Sequence, residues 1–286
     1  MQPKLFFSQA LLGAMCLFAT IAAVSCRKGP GEIPLPDFDG YASQMQAQQA
    51  VSTLQDLVYE AISLSSDLYD GDGTVTLSQC PQITLAKAYP TSSYPATLTI
   101  DASGGCLWRG HQLSGKVTLS LDKALSAGNA TLSGTVAGFS IDQSTLDGNA
   151  ALQFGAADKP FASMSLTLSN FEVAKSTGDA VRFDAMTANR TQTAGQLTVV
   201  RTGGKPALDD DVFVIQVAGN GTANDLAFTV QTETPVTRSM DCRWIALGKI
   251  TVDMGPSSGY IDFGNGNCDN QVLIKVGEEE RTFNLR

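Results

Sequence analysis

The chain has few ionisable residues: only 16% of its 286 residues are charged, and His111 is its single histidine. One imidazole excludes a multi-histidine metal site built from this chain alone. Cations are the scarcer sign, with 19 Lys+Arg against 28 Asp+Glu and a formal net charge of −9. An acidic surface repels phosphate backbones, so no nucleic acid partner is expected. No complete Walker loop and no Cys-x-x-Cys pair occurs, so there is no signature of nucleotide hydrolysis or a zinc ribbon. After residue 24 no stretch approaches the ~18 consecutive apolar residues of a membrane helix. What is present suits folding: 43% of residues are hydrophobic, and the length allows one large domain or two small ones.

Residues 1–25 have the layout of a secretory signal peptide. Lys4 supplies a short basic region. An apolar stretch runs from Leu5 to Val24, broken by Ser8, Gln9, Gly13, Cys16 and Thr20, and Ala22-Ala23-Val24-Ser25 leads into Cys26. Ala23-Val24-Ser25-Cys26 resembles the lipobox of bacterial lipoproteins, although that family prefers Leu where Ala23 stands. The resemblance implies cleavage before Cys26 and lipidation of its thiol; an ordinary Ala-x-Ser cleavage site is the competing reading. Residues 26–40, with Gly29, Pro30, Gly31, Pro34, Pro36 and Gly40, read as a lipid-tethered linker. The expected location is the bacterial cell envelope, with the protein attached to the outer membrane through its N-terminal lipid. Arg27-Lys28 in place of an acidic run favours a periplasm-facing over a surface location.

Residues 41–286 are expected to form one β-rich domain, with a division into 41–208 and 209–286 at Asp209-Asp210-Asp211 as an alternative. Ser43-Gln44-Met45-Gln46 has capping-box form, and apolar residues from Ala47 to Leu68 recur at three- and four-residue steps. This predicts an amphipathic helix over about residues 43–68, with Gln48, Gln49, Ser52, Gln55, Asp56 and Ser63 on its polar side. The apolar face needs a cover, either the rest of this chain or a helix of another protein. From Thr74 the period becomes two, as in Leu98 and Ile100, Val117 to Leu121, Met164 to Leu168, and Ile250 to Met254. Such alternation marks strands with one apolar face, and about a dozen fit the pattern. Turn pairs at Gly128-Asn129, Asp147-Gly148, Asn220-Gly221 and Asn265-Gly266 suggest hairpins. The fold class is therefore mainly β: an antiparallel meander, as a curved sheet, sandwich or partial barrel, with the helix packed on it.

Setting aside Cys16 and Cys26 leaves Cys80, Cys106, Cys242 and Cys268, in two pairs each spaced by 26. Ile83, Leu85 and Lys87 follow Cys80 at the offsets at which Ile245, Leu247 and Lys249 follow Cys242. An Ile-Asp step and glycines precede each second cysteine, at Ile100-Asp101 and Ile261-Asp262. This reads as a duplicated unit in which each pair brackets a Pro/Gly/Ser turn. Folding each unit at its turn brings its cysteines together, giving Cys80–Cys106 and Cys242–Cys268 in an oxidising compartment. The pairing Cys80–Cys268 with Cys106–Cys242 and a thiolate metal site remain as alternatives. The segment Tyr94 to Cys106, echoed by Gly259-Tyr260-Ile261-Asp262-Phe263-Gly264, resembles uncharacterised envelope lipoproteins of Bacteroidetes. That resemblance implies a location and an architecture, but no activity.

Catalytic candidates are thin. Asp101-Ala102-Ser103-Gly104-Gly105 loosely imitates a serine-protease nucleophile loop, with His111 the one available base. Asp70-Gly71-Asp72-Gly73 imitates half a calcium loop but lacks donors at its ends. Asp101 and Asp262 at matching places suggest turn structure, although paired carboxylates also permit glycosidase chemistry. Trp108 and Trp244, each two residues past a cysteine, suggest caps over disulfides or a sugar platform. The expectation is a lipid-anchored, non-enzymatic protein of binding or structural type, with no metal or cofactor and an envelope protein or glycan as partner. A carrier of lipid or another hydrophobic ligand, and a hydrolase with an unrecognised carboxylate site, are the rival readings.

Overall fold

A computed structural model describes residues 38–65, 74–76, 80–88, 93–195 and 208–285. The expected signal peptide (residues 1–25), Cys26, residues 26–37 of the expected linker and the Asp70–Gly73 segment lie outside these residues. One helix, α1 (Phe38–Ser65), precedes fourteen strands. They are β1 (Thr74–Thr76), β2 (Gln82–Ala88), β3 (Ser93–Trp108), β4 (His111–Leu121), β5 (Thr131–Ile141), β6 (Ser144–Phe154) and β7 (Ser163–Lys175). After them come β8 (Ala180–Ala194), β9 (Val212–Ala223), β10 (Leu226–Ser239), β11 (Leu247–Met254), β12 (Ser257–Asn265), β13 (Gln271–Val276) and β14 (Glu279–Asn284). They form one sheet in chain order, so the expected antiparallel meander is what folds, and β1 and β14 are its unclosed edges. β8 and β9 pair from Val181↔Ala223 to Ala194↔Val212, so the sheet runs unbroken across residue 209 and does not divide there into two lobes.

The strands follow from their alternation. In β4, His111, Leu113, Val117, Leu119 and Leu121 are buried while Gln112, Lys116, Thr118 and Ser120 point outward or lie partly covered. The inward residues meet α1. The Tyr41 hydroxyl donates to the Val252 carbonyl at 3.1 Å, and the Tyr59 ring meets Phe213 edge-on at 5.0 Å. The helix differs from the sequence expectation in two ways. It starts at Phe38, so the last linker residues are helical, and Ser43 lies in its second turn rather than at its cap. There the Ser43 hydroxyl accepts from Lys175 Nζ at 3.2 Å. In addition, every residue from Ala47 to Ser63 is buried, including the predicted polar side of Gln48, Gln49, Ser52, Gln55, Asp56 and Ser63. A sheet of fourteen strands curls far enough to cover the helix all round, which a flatter sheet could not do.

Two of the expected turn pairs are not turns. Asp147-Gly148 lies within β6 and Asn220-Gly221 within β9. A Cβ on Gly148 would strike the Asn170 carbonyl, and one on Gly221 the Arg182 carbonyl, so glycine admits the backbone of the adjoining strand. Three of the two-residue hairpins instead use Arg109-Gly110, Asp142-Gln143 and Asn224-Asp225, with both residues at positive φ.

Both disulfides of the local pairing are formed, with Cα atoms 5.8 Å apart for Cys80–Cys106 and 5.6 Å for Cys242–Cys268. The flanking repeat is less regular than its letters. Ile83 faces Ile100 across β2 and β3, whereas Ile250, not Ile245, faces Ile261 across β11 and β12. The aspartates do match: the Ser103 N–H donates to Asp101 at 2.9 Å and the Gly264 N–H to Asp262 at 3.0 Å. Each carboxylate also has a cross-strand lysine, Lys116 at 3.7 Å and Lys249 at 3.5 Å. Each therefore holds its own backbone two residues on, within a strand and beside a register shift.

Candidate ligand cleft

At one end of the molecule the curled sheet leaves a cleft of about 680 Å³. Its floor is the α1 flank carrying Gln46, Gln49, Ala50 and Thr53. One wall comprises the β5–β6 turn with Asp142 and Gln143, joined by Gln112 and Arg243. The turn after β7 with Lys175, Thr177 and Asp179 adds a second wall, and the end of β14, Thr282 to Leu285, a third. The cleft arises because β14 has no further strand beside it. Its end is held instead by Leu285, whose N–H donates to the Asn270 carbonyl at 2.8 Å, and by Phe283 stacked on Phe38 at 6.3 Å.

The floor is bolted to the wall through Gln49. Its Nε2 donates to the Arg243 carbonyl at 3.0 Å and to Thr53 Oγ1 at 3.3 Å, while its Oε1 accepts the Ile245 N–H at 3.1 Å. Behind the wall sits His111, fully buried. Its Nδ1 meets Asp142 Oδ2 at 2.5 Å and its Nε2 the Arg243 carbonyl at 3.2 Å. Both ring nitrogens therefore face oxygen atoms of the chain. Burial pushes Asp142 up, but the hydrogen bonds from His111 and the Gln112 N–H, with Arg243 nearby, outweigh it and hold this carboxyl below its ordinary value. The other rim charges are also tied: Arg243 Nη2 to Asp142 at 3.3 Å, Lys175 to Asp179 at 3.9 Å, and the Thr177 hydroxyl to Asp179 at 3.0 Å.

Trp108 and Trp244 lie on either side of His111, with ring centroids 6.3 and 6.2 Å from it. The two Cys-x-Trp segments thus meet across the imidazole and join β3–β4 to the loop after β10. Arg109 reinforces the joint, donating to Glu60 at 2.6 Å, to Asp209 at 2.7 Å and to the Met240 carbonyl at 2.6 Å. With both nitrogens engaged, His111 has no nitrogen left to serve as base for Ser103, which is exposed. Gly255-Pro256-Ser257-Ser258-Gly259 spells the Gly-x-Ser-x-Gly of a nucleophile elbow, but it forms the hairpin from β11 to β12. An elbow needs a strand-to-helix turn.

Sequence reasoning missed a second polar cluster, beneath the C-terminal half of α1. Asp56 binds Arg190 of β8 and Arg238 of β10, each at 2.6 Å, and all three side chains are buried. Burial raises Asp56, yet the two guanidiniums hold it below the ordinary carboxylate value. The Arg190 guanidinium also stacks over Phe213 at 4.1 Å. Asp211, the last of the three consecutive aspartates, is buried; it accepts from the Tyr59 hydroxyl at 2.6 Å and Gln192 Nε2 at 2.8 Å. Burial pushes Asp211 up to about 6, helped by Asp210 and resisted by those two hydrogen bonds and Arg109. The signal was present in the letters. Arg190 and Gln192 continue the inward parity of Met186 and Ala188, where a solvated residue does not belong.

Two small spaces between helix and sheet, lined by described residues, measure about 20 Å³ each. Among the described residues, no group of three or more His, Cys, Asp or Glu is placed to hold a metal ion, and no helix is long and apolar enough to cross a membrane. Comparison with protein-family models, curated proteins and solved structures finds no match to this chain.

Proposed function

We propose that this chain is a lipid-anchored binding protein of the bacterial cell envelope, and that the cleft between α1, the β5–β6 turn and β14 is its ligand site. The cleft carries the reading: at about 680 Å³ it lies within the ~300–1,000 Å³ of small-ligand sites. The anchor rests on the signal layout that ends at Ser25-Cys26, and on the likeness of the cysteine units to Bacteroidetes envelope lipoproteins. A lipid carrier is less well supported, since the concave side of the sheet is filled by α1 and each remaining space suits about one water molecule. A hydrolase is also less well supported, because Asp142 and Asp179, the carboxylates lining the cleft, are both engaged by neighbouring side chains.

A photo-crosslinking residue placed at Gln143, an exposed rim position, tests the site in the native envelope. The expected result is a discrete adduct that is absent when the crosslinker replaces Thr229, an exposed β10 position outside the cleft. Equal labelling from both positions would overturn the reading. Mass spectrometry of the native N-terminal peptide checks the anchor, with a triacylated or diacylated Cys26 as the expected species and a free thiol as the contrary one.

A further inference from the structure

We propose that the cleft binds an uncharged oligosaccharide, an inference that rests on the reading of the cleft as the ligand site. Its groups divide into those already used and those left over. Asp142, Arg243, Lys175 and Asp179 neutralise one another, so no net charge is offered to a ligand. Among the described residues, the side chains of Gln46, Gln112, Gln143 and Asn284 make no hydrogen bond within the chain. Each amide carries both a carbonyl acceptor and an NH₂ donor. A ligand suited to four such groups presents neutral functions that both donate and accept, closely spaced along its length. Sugar hydroxyls do this. Phe283 on the same wall supplies apolar surface for the C–H face of a pyranose ring.

The competing ligand classes fit less well. A polyanion would meet the −9 chain with no uncommitted cation in the cleft. An acyl chain would strand the four amides against hydrocarbon, and unpaired polar groups are costly. An extended peptide would add a strand to the free edge of β14, but that strand opens with Glu279, Glu280 and Arg281, charges that discourage edge pairing.

The test is isothermal titration of the detergent-solubilised full chain against neutral oligosaccharides: cello-, malto-, xylo- and chito-oligomers. A panel of extended peptides and an anionic oligogalacturonate run in parallel. At least one neutral series is expected to bind. The Gln112→Ala/Gln143→Ala double variant, which alters two exposed side chains, is expected to weaken it at least tenfold with an unchanged melting temperature. If only a peptide or the anionic oligomer binds, and the double variant abolishes that binding, the oligosaccharide inference falls while the cleft remains the ligand site. If nothing in the panels binds, or if binding is indifferent to the double variant, both readings fall.

Discussion

The Asp56 carboxylate lies 2.6 Å from the Arg190 guanidinium in the interior of the molecule, with both side chains within 1% of complete burial. A second guanidinium, from Arg238, closes on the same carboxylate at 2.6 Å. The cluster joins the middle of α1 to two strands far along the chain, β8 and β10. Carboxylates and guanidiniums are strongly hydrated outside proteins, so the ensemble holds only while it is complete.

Replacing Asp56 with Asn is therefore expected to be among the most damaging single changes. It leaves two buried cations without a counter-charge, and broken buried pairs typically cost about 3–5 kcal/mol. Replacing Asp56, Arg190 and Arg238 together with Leu, Met and Met removes all three charges at similar volume and should recover most of that loss. Urea unfolding of the three proteins is the measurement. A mild Asp56→Asn effect, or a triple variant worse than the single one, would show that the cluster is not held by charge pairing.

The architecture was legible in the sequence to the extent that it rests on periodicity. Alternation from Thr74 onward gave the strands, and three- and four-residue steps gave the helix. The equal cysteine spacings gave both disulfides, because a hairpin brings symmetric positions together whatever the rest of the fold does. Periodicity could not show how far the sheet curls. That omission explains why Gln48, Ser52 and Asp56 read as a wet face and turned out to be enclosed. The cleft was illegible for a related reason: its residues come from α1, the β5–β6 and β7–β8 turns and the end of β14, and no local motif links them. Asn-Gly and Asp-Gly pairs misled because glycine serves close strand approach as well as turns, and only the neighbouring backbone distinguishes the two.

Asp211 gives the protein a pH signature. Its carboxyl is pushed up to about 6 from an ordinary 3.8, so the folded state binds a proton more tightly than the unfolded chain. The stability this adds is fully present below about 3.8 and is lost as pH rises through about 6, by roughly 3 kcal/mol at most. Asp56 and Asp142, both held low, act in the opposite sense, so their contribution is present above about 4 and fades in acid. Comparison with Asp211→Asn isolates the first effect, because the variant retains the shape without the titration. Its stability relative to the parent should rise between pH 4 and pH 7, read from urea midpoints across that range. A difference that stays flat with pH would show that Asp211 titrates normally.

The glutamines of α1 make the sharpest contrast in the molecule. Both side-chain polar atoms of Gln44 are buried without a hydrogen-bond partner, as are Gln55 Nε2 and Ser52 Oγ. Ser52 and Gln55 face a wall that includes Met186, Ile215 and Val236. Gln49 is as deeply enclosed, yet both ends of its amide are bonded, to Arg243, Thr53 and Ile245. An unmade hydrogen bond in a buried site costs about 1–3 kcal/mol, whereas a made one contributes about 1. Methionine nearly matches glutamine in length and flexibility without polar ends. Gln44→Met and Gln55→Met are therefore expected to stabilise the fold by about 1 kcal/mol or more each, and Ser52→Ala by somewhat less. Gln49→Met, five residues from the first of these, should destabilise it by about 1–3 kcal/mol, since it strands the Ile245 N–H and leaves the Arg243 carbonyl with His111 alone. Thermal and urea unfolding of the four variants checks both signs. Destabilisation by Gln44→Met or Gln55→Met equal to that of Gln49→Met would mean that ordered water satisfies the stripe, and that α1 is held as much by its polar side as by its apolar one.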